Sequence, residues 1–194
     1  MAEQHPQDDP HQDRARGGAA LELRPIGPDD VDDVLDLNQR STPEVGEVDR
    51  ARLQAILDEA SLALLARDTD GRLAGFVVVL APGAAYDSPN YLHFAATYPD
   101  FRYVDRIAID PRAQGRGLGR RCYEAVVGHA RDAGSPRVVA EVNLEPPNPG
   151  SLAFHAALGF TKVGTQSNYG GSTVVQFLSL ELDDERRGGS SVPE

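Results

Sequence analysis

The sequence predicts an α/β fold in which helices flank a mixed central sheet. Three observations support this prediction: apolar segments with the period of strands, amphipathic stripes with the period of helices, and alternation between the two along the chain. In chain order the predicted elements are β-α-α-β-β-β-α-β-α-β-β, which is typical of a layered α/β domain.

A chain of 194 residues fits one domain with short tails. We expect that domain over residues 20–182. Residues 1–19 and 183–194 carry few large apolar side chains, so they cannot bury enough surface to offset the entropy of ordering. Both segments are therefore predicted to be disordered tails.

The first half of the domain predicts a strand, two helices and a hairpin. Pro28 with acids behind it suits a helix N-terminus, and Asp68 to Gly71 is typical of a hairpin turn between apolar runs. The elements are a strand at 21–26, a helix from Pro28, a helix at about 48–60, and strands at 61–66 and 73–80. The acidic run at the first helix is predicted to be a solvated face: Asp29, Asp30, Asp32 and Asp33.

The second half predicts a long irregular segment, then alternating strands and helices. Residues 82–101 contain three prolines and several aromatic residues, and a loop of this length is usually functional or mobile. Gly134 and Gly159 are typical helix ends. The elements are a strand at 103–109, a helix from the following glycine-rich turn to about Ala133, a strand at 137–142, a short helix at 151–158, and strands at 160–163 and 173–182.

Composition excludes several function classes. The net charge of −11 argues against broad binding to nucleic-acid phosphates, which needs a positive surface. No apolar run approaches the length of a membrane helix and none follows Met1, so we expect a soluble cytoplasmic protein without membrane partners. The single cysteine, Cys122, excludes an intrachain disulfide and cysteine-rich zinc sites, and we expect no metal. Cys122 has helical spacing from Leu118 and Val126, which predicts a core position.

The strongest functional signal is a glycine-rich turn between a predicted strand and a predicted helix. It reads Gln114-Gly115-Arg116-Gly117-Leu118-Gly119. Glycines let backbone approach a phosphate closely, and the free N–H groups of a helix N-terminus bind anions. Arg112, Arg116, Arg120 and Arg121 add positive charge around it. The turn therefore predicts a phosphate or pyrophosphate site, although glycines that only shape the turn are the alternative.

Two segments together resemble the Gcn5-related N-acetyltransferase (GNAT) superfamily. Residues 103–119 resemble its core motif, an apolar strand followed by Q/R-x-x-G-x-G/A, with Gln114, Gly117 and Gly119 in the motif positions. Residues 148–160 resemble its second motif, an asparagine, a short helix and a terminal Gly-Phe. The resemblance implies an acyl-CoA N-acyltransferase with a mostly antiparallel sheet and one splayed pair of parallel strands.

The resemblance also implies which residues hold acetyl-CoA, the co-substrate. Backbone amides of the turn would hold its pyrophosphate, and the preceding strand would lie along the pantetheine like an added strand. The Ile107 N–H would polarise the thioester carbonyl. The implied binding residues are Ile107, Ala108, Ile109, Gln114, Gly115, Arg116, Gly117, Leu118, Gly119, Arg120, Asn148, Ser151 and Phe154.

Two proton transfers accompany acetyl transfer to an amine, and the sequence departs from the family at both positions. In the family, a tyrosine that acts as the catalytic acid often occupies the position of His155. His155 is therefore one candidate for the acid, and Tyr169 is the other. In the family, a glutamate that acts as the general base often occupies the position of Tyr103. Asp105 and Glu141 are the nearby carboxylates that could act as the base. Asp105 could instead form a structural salt bridge, and a water chain could remove the proton without a dedicated base.

The acceptor is predicted to be an amine on a small molecule or a protein N-terminus. Aromatic and acidic residues in 82–101 suit a cationic amine, and so does the acidic surface. Two further functions stay open: a non-catalytic acyl-CoA-binding or regulatory module, and a nucleotide-binding domain. The nucleotide-binding alternative is weak because the only lysine, Lys162, is not in a phosphate-binding loop. The resemblance also implies that the chain can form a homodimer.

Overall fold

A seven-stranded sheet is the centre of the computed structural model, which describes residues 21–182. Its strands are β1 (Leu23–Pro25), β2 (Ala60–Arg67), β3 (Leu73–Leu80), β4 (Arg102–Ile109), β5 (Arg137–Glu145), β6 (Thr161–Asn168) and β7 (Thr173–Glu181). They lie in the order β1-β2-β3-β4-β5-β7-β6, and among the described strands only β4 and β5 pair in parallel. The predicted mixed, mostly antiparallel sheet is confirmed. The predicted tails, 1–19 and 183–194, lie outside the described residues.

Five α-helices flank the sheet within residues 21–182: α1 (Val31–Arg40), α2 (Arg50–Asp58), α3 (Pro89–Thr97), α4 (Leu118–Asp132) and α5 (Pro149–Ala157). None of these combines the length and apolar composition needed to cross a membrane. The prediction of an irregular segment at 82–101 is wrong, because α3 lies inside it. Pro89 is a favourable first residue for that helix, and Tyr91 and Phe94, three positions apart, bury one face.

The parallel strands β4 and β5 separate soon after they meet. They pair at only two positions, Arg102 with Val138 and Tyr103 with Val139. Beyond these pairs β4 stays bonded to β3 as far as Ile109, and β5 stays bonded to β7 as far as Glu145. The sheet therefore splits between its two halves, and each of the two strands presents an unpaired edge to the gap.

Helices cover both faces of the sheet, and α4 packs across its two halves. On one face α4 packs Leu118, Cys122 and Val126 against β3, β4 and β5, so Cys122 is a core residue as expected. On the other face α1 and α2 pack against Phe76 and Val78 of β3. These contacts fix α4 relative to β4, which places the glycine-rich turn at the end of β4.

One acid of the predicted solvated run is buried. Asp30 is 5 % exposed, whereas Asp29, Asp32 and Asp33 are exposed. Both carboxylate oxygens of Asp30 accept from Arg24, at 2.7 and 2.8 Å, and Arg67 donates at 2.8 Å. These arginines come from β1 and β2, so the prediction fails here because strand pairing brings two cations beneath the helix start. Arg24 first, then Arg67 and the Gly27 amide, hold the pKa of Asp30 far below its usual range.

Removing the charge of Asp30 is expected to destabilise the fold. Asp30→Asn leaves two arginines without their shared carboxylate, so urea unfolding at pH 7 should show a loss of about 1–3 kcal/mol. A carboxyl whose pKa is lowered on folding stabilises above its unfolded pKa, so the difference should shrink in acid. Asp29→Asn, in the exposed part of the same run, should change stability by less than about 0.5 kcal/mol. Equal stability of both variants at pH 7 would contradict this role.

Candidate active site

The gap between β4 and β5 opens into a cavity of about 660 Å³. Tyr103, Asp105 and Ile107, alternate residues of β4, line one wall. Glu141 and Asn143 of β5 line the wall opposite. Side chains two residues apart on a strand share a face, so the splayed strands turn both sets toward one space.

Glu141 is a buried carboxyl group in this cavity. Its Oε1 accepts hydrogen bonds from the Tyr103 hydroxyl and from Asn90 Nδ2, both at 2.9 Å. Its Oε2 is buried and has no hydrogen-bond partner among the described residues. One oxygen is therefore fixed by two donors, whereas the other has no hydrogen-bond donor among the described residues.

A relay of side-chain amides holds Asn90 in place. Gln166 donates to Asn168 at 2.7 Å, Asn168 donates to Asn90 at 2.8 Å, and Asn90 donates to Glu141. Asn90 lies on α3 and Asn168 at the end of β6. The orientation of the Asn90 amide follows from this relay, since its oxygen already accepts from Asn168.

The surroundings of Glu141 favour its neutral form. Burial is the largest cause, and the negative charge of Asp105 is the second; together they raise the pKa of Glu141 to about 8. The hydrogen bonds from Asn90 and Tyr103 act in the opposite direction because they stabilise the carboxylate. A carboxyl group of this kind accepts a proton near neutral pH, where an ordinary carboxylate does not.

Asp105 forms the salt bridge that the sequence left open. Its side chain is 3 % exposed and accepts from Arg106 Nε at 2.6 Å. Arg106 in turn donates to Asn38 of α1 at 2.9 Å. Asp105 therefore lines the cavity with its charge paired. Proton transfer by Asp105 stays a prediction. Of the two predicted carboxylates, Asp105 has a cationic partner and Glu141 has none among the described residues.

His155 lies in the cavity wall beside a tyrosine of another helix. It is 4 % exposed, and its Nδ1 is 2.7 Å from the carbonyl oxygen of Ser151. Its Nε2 is 2.6 Å from the Tyr123 hydroxyl. Burial lowers the pKa of His155, and the Ser151 carbonyl counteracts this only in part. The imidazole is therefore neutral at physiological pH.

The glycine-rich turn joins β4 to α4 with two left-handed residues. Gly115 and Gly117 have φ of +72° and +77°, a conformation that side chains disfavour, and a Cβ at either would point into open space. The first backbone hydrogen bond of α4 runs from the Arg121 N–H to the Gly117 carbonyl at 3.1 Å. The amides before it are left for another acceptor.

Positive charge at this turn is unpaired. Arg112 is held by Asp110, but within residues 21–182 Arg116, Arg120 and Arg121 form no ion pair. Open amides and free guanidinium groups at a helix N-terminus fit the pyrophosphate of a CoA thioester. Leu118 differs from its neighbours because its side chain is buried, so it can offer only its backbone.

The structure separates the predicted binding residues into two groups. Ile107, Asn148 and Ser151 line the cavity. Ala108, Ile109, Phe154 and residues 114–120 lie outside it, at the end of β4 and along α4 and α5. Four of the predicted binding residues also contact one another. The Asn148 side chain caps α5 by accepting from the Ser151 N–H, and Phe154 lies against Gly119, where a Cβ would be 3.2 Å from the Phe154 ring. Tyr169 lies in a short 3₁₀ helix before β7, and its role stays a prediction.

The sequence did not predict the roles of several residues that line the cavity. The segments 82–101 and 168–172 were expected to help form the acceptor site, but Asn90 and Asn168 were not singled out, because α3 was not predicted and β6 was predicted to end early. Tyr103 was noted only as a departure from the family motif. Tyr123 had no signal, since it occupies a helix position that normally serves the core. Most aromatic residues of 82–101 do not line the cavity; Tyr91, Phe94 and Phe101 pack in a core cluster with Tyr103.

Comparison with known proteins agrees with this arrangement. L-amino acid N-acyltransferase MnaT of Escherichia coli is 31% identical over 134 residues, which are 60% of this chain and 76% of the relative. Mycothiol acetyltransferase of Clavibacter sepedonicus is 31% identical over 159 residues, 78% of this chain and 46% of the relative. The chain thus spans three quarters of the first relative but less than half of the second.

Solved structures show the same fold at lower identity. Ard1 from Thermoplasma volcanium superposes with a TM-score of 0.68 at 18% identity, covering 85% of this chain and 99% of that one. The acetyltransferase yncA from Salmonella typhimurium, solved with acetyl-CoA, has a TM-score of 0.61 at 19% identity and covers 90% and 98%.

A family model settles the assignment. The model described as the acetyltransferase (GNAT) family matches residues 31–160, from the start of α1 to the end of the second motif. The match includes the glycine-rich turn and both walls of the cavity. The chain therefore belongs to the acetyltransferase (GNAT) family, and it is an acyltransferase with acetyl-CoA as co-substrate, as the sequence predicted.

Proposed function

We propose that this chain transfers the acetyl group of acetyl-CoA directly to a primary amine, and that Glu141 takes the proton from that amine. The observation that carries the proposal is the carboxyl group of Glu141, a residue that lines the gap between the split strands and whose buried Oε2 has no partner among the described residues. A carboxyl group in this setting has no evident structural purpose, since burying it without a cation is unfavourable.

The pKa of Glu141 is close to the pKa of the amine that it is proposed to deprotonate. Its pKa of about 8 lies close to that of an α-amino group and within about 2–3 units of a lysine side chain. A base is most effective when its pKa is near the working pH, because it is then partly ionised and still binds protons well. Tyr103 and Asn90 fix Oε1, so the proton goes to Oε2 in a defined direction.

The turn and β4 are proposed to hold acetyl-CoA, which supplies an activated acetyl thioester. The amides of residues 115–119 and the free charges of Arg116 and Arg120 suit its pyrophosphate, whereas the Gln114 N–H already donates to the Pro111 carbonyl. The unpaired edge of β4 suits the pantetheine amides, because backbone groups that lost their strand partner need another. Ile107, in the cavity wall, is proposed to donate its N–H to the thioester carbonyl.

The charge of the cavity supports a cationic acceptor. Its acids outnumber its bases: Glu44, Glu47, Asp87, Asp105 and Glu141 against Arg52 and Arg106. Both arginines are already paired, Arg52 with Asp87 and Arg106 with Asp105. An acceptor with a phosphate or carboxylate group would find no unpaired cation among these lining residues. We therefore favour a peptide N-terminus or a small amine without an acidic group over a sugar phosphate.

Replacing Glu141 is expected to abolish most of the activity. Glu141→Gln keeps an acceptor for Tyr103 and Asn90 but cannot take a proton, so kcat/KM should fall about 100-fold or more. The assay is thiol release from acetyl-CoA with a panel of amino acids, polyamines and short peptides with free N-termini. For the unmodified protein, kcat/KM should rise with pH through about 8 as Glu141 ionises.

The control for Glu141→Gln is a measurement of its stability against unfolding. A carboxyl whose pKa is raised on folding destabilises the fold as pH rises past its unfolded pKa, so the variant should be at least as stable as the parent at pH 9. Retained activity in a folded variant would contradict a proton-transfer role for Glu141.

Asp105 is expected to set the acidity of Glu141. Asp105→Asn removes the like charge across the gap, so the pKa of Glu141 should fall and the rise of kcat/KM should move to lower pH. Arg106 keeps its hydrogen bond to Asn38 in this variant. A pH profile that does not move would show that the charge of Asp105 does not act on Glu141.

Blocking the glycine-rich turn is expected to prevent CoA binding. Gly117→Trp places a large side chain in the open space above the α4 amides, and calorimetric titration with CoA should show binding lost. Gly134→Trp is the control, because Gly134 also has a positive φ, +68°, and open space, but follows the other end of α4. Equal binding by both variants would place CoA elsewhere.

A further inference from the structure

Three side-chain amides form a relay that crosses the sheet and ends on Glu141. The relay begins on β6 with Gln166 and Asn168, passes to Asn90 at the start of α3, and reaches Glu141 on β5. In the sheet β7 lies between β5 and β6, so the two strands that carry its ends are not neighbours. The relay therefore links the proposed base to the edge of the described sheet through a helix on its face.

The packing of α3 on β7 explains how Asn90 reaches both partners. The ring of Phe94 lies edge to face against Phe177 of β7, with 4.9 Å between the ring centroids. Asn90 precedes Phe94 by four residues, so the two side chains share one side of the helix. From this position Asn90 meets Asn168 at 2.8 Å and Glu141 at 2.9 Å, one on each side of β7.

The direction of the relay is the one that a carboxylate requires. A carboxylate only accepts hydrogen bonds, and Nδ2 of Asn90 donates to Glu141 while the Asn90 oxygen accepts from Asn168. Turned end for end, the Asn90 amide would present its oxygen to Glu141, and only the protonated acid could then donate to it. The observed direction therefore favours the form of Glu141 that takes a proton.

Asn168 is the residue that keeps Asn90 in this direction. The nitrogen and oxygen of an amide occupy almost the same space, so a hydrogen bond to one of them decides which way the group points. Within residues 21–182 the Asn90 side chain bonds only to Glu141 and Asn168. Asn168 is 6 % exposed, and its own oxygen already accepts from Gln166, so its nitrogen is the end that points to Asn90.

We propose that Asn168 is a positioning residue for the proposed base: it holds the Asn90 amide with its nitrogen toward Glu141 and so stabilises the carboxylate that takes the proton. The inference rests on the proposed function and deepens it. It assigns a role in the reaction to a residue at the end of β6, which has no hydrogen bond to Glu141 itself.

The other groups around Glu141 do not belong to the relay. Besides the acids and arginines of the cavity named above, its titratable lining residues are Tyr86, Tyr103, Tyr123 and His155. On β7 the residue paired with Glu141 is Phe177, which carries no charge. Burial and the charge of Asp105 raise the pKa of Glu141, whereas the bonds from Asn90 and Tyr103 lower it. Loss of the Asn90 bond alone should therefore raise this pKa further.

NMR titration of Glu141, with its carboxyl carbon labelled with ¹³C, tests the role of Asn168. Asn168→Leu keeps the approximate size of the side chain but cannot donate, so Asn90 is free to turn. The pKa of Glu141 should then rise by about one pH unit, since a hydrogen bond to a charged group is weakened. The rise of kcat/KM with pH should move upward by the same amount. An unchanged pKa in Asn168→Leu would overturn the proposal.

A double variant tests whether Asn168 acts through Asn90. If it does, Asn90→Leu combined with Asn168→Leu should titrate like Asn90→Leu alone, because the second change removes nothing further. Shifts that add in the double variant would show that Asn168 acts on Glu141 by another route, and would overturn the relay.

Asn168→Asp guards against a folding defect in Asn168→Leu, because it keeps the shape of the side chain. Its carboxylate cannot donate, so Asn90 should turn its nitrogen toward residue 168 and its oxygen toward Glu141. The added negative charge acts in the same direction, and the pKa of Glu141 should rise more than in Asn168→Leu. A pKa equal to that of the parent would contradict the role of Asn168.

Asn143→Leu is the matched control. Asn143 lies two residues from Glu141 and lines the same cavity, but its amide donates to the Pro43 carbonyl at 2.9 Å. The pKa of Glu141 should stay at the parent value in this variant. A rise equal to that of Asn168→Leu would show that Glu141 responds to the loss of any polar group in the cavity, which would overturn the specific role of Asn168.

Activity separates the failure of this inference from the failure of the proposed function. If a folded Glu141→Gln stays active, the proposed function fails, whatever the relay does to the pKa. If Glu141→Gln is inactive and Glu141 titrates alike in Asn168→Leu and the parent, only the role of Asn168 fails.

Discussion

The separation of β4 and β5 is the constraint on which the rest of the molecule depends. Two parallel strands that share only two pairs leave backbone groups on both edges without ladder partners, and in a buried position such groups need other acceptors and donors. The flanking strands β3 and β7 stay bonded, so the split does not spread through the sheet. The gap is therefore a stable feature of the fold, and it is where a backbone-like ligand can take the place of a strand.

Burial of the side chains around this gap explains their acid–base character. Glu141, Tyr123 and His155 come from a strand and two helices, yet burial favours the neutral form of each. It raises the pKa of Glu141 and of Tyr123 and lowers the pKa of His155. The neighbouring acid Asp105 differs because Arg106 neutralises it. The site thus combines a carboxylate that is paired with an arginine and a carboxyl group without a cationic partner, whose pKa is raised to about 8.

Local sequence patterns predicted the parts of the fold that local physics decides. Strand alternation, the hairpin turn and the glycine-rich turn were read correctly because period and backbone conformation are written in neighbouring residues. The helix α3 was missed because prolines and aromatic residues mask its period. The burial of Asp30 depends on arginines from two paired strands, and the Glu141–Asn90 and Tyr123–His155 contacts join residues 51 and 32 positions apart. No local pattern reports such contacts.

The acidity of Glu141 in the protein without ligand is the most direct test of the account. The carboxyl carbon of glutamate can be labelled with ¹³C and titrated by NMR, with Glu141→Gln used to assign the signal. We expect a pKa of about 8 for Glu141. A value near the ordinary 4.5 would contradict this expectation, because the carboxyl group would then be an ordinary solvated carboxylate and too weak a base to deprotonate an amine near neutral pH.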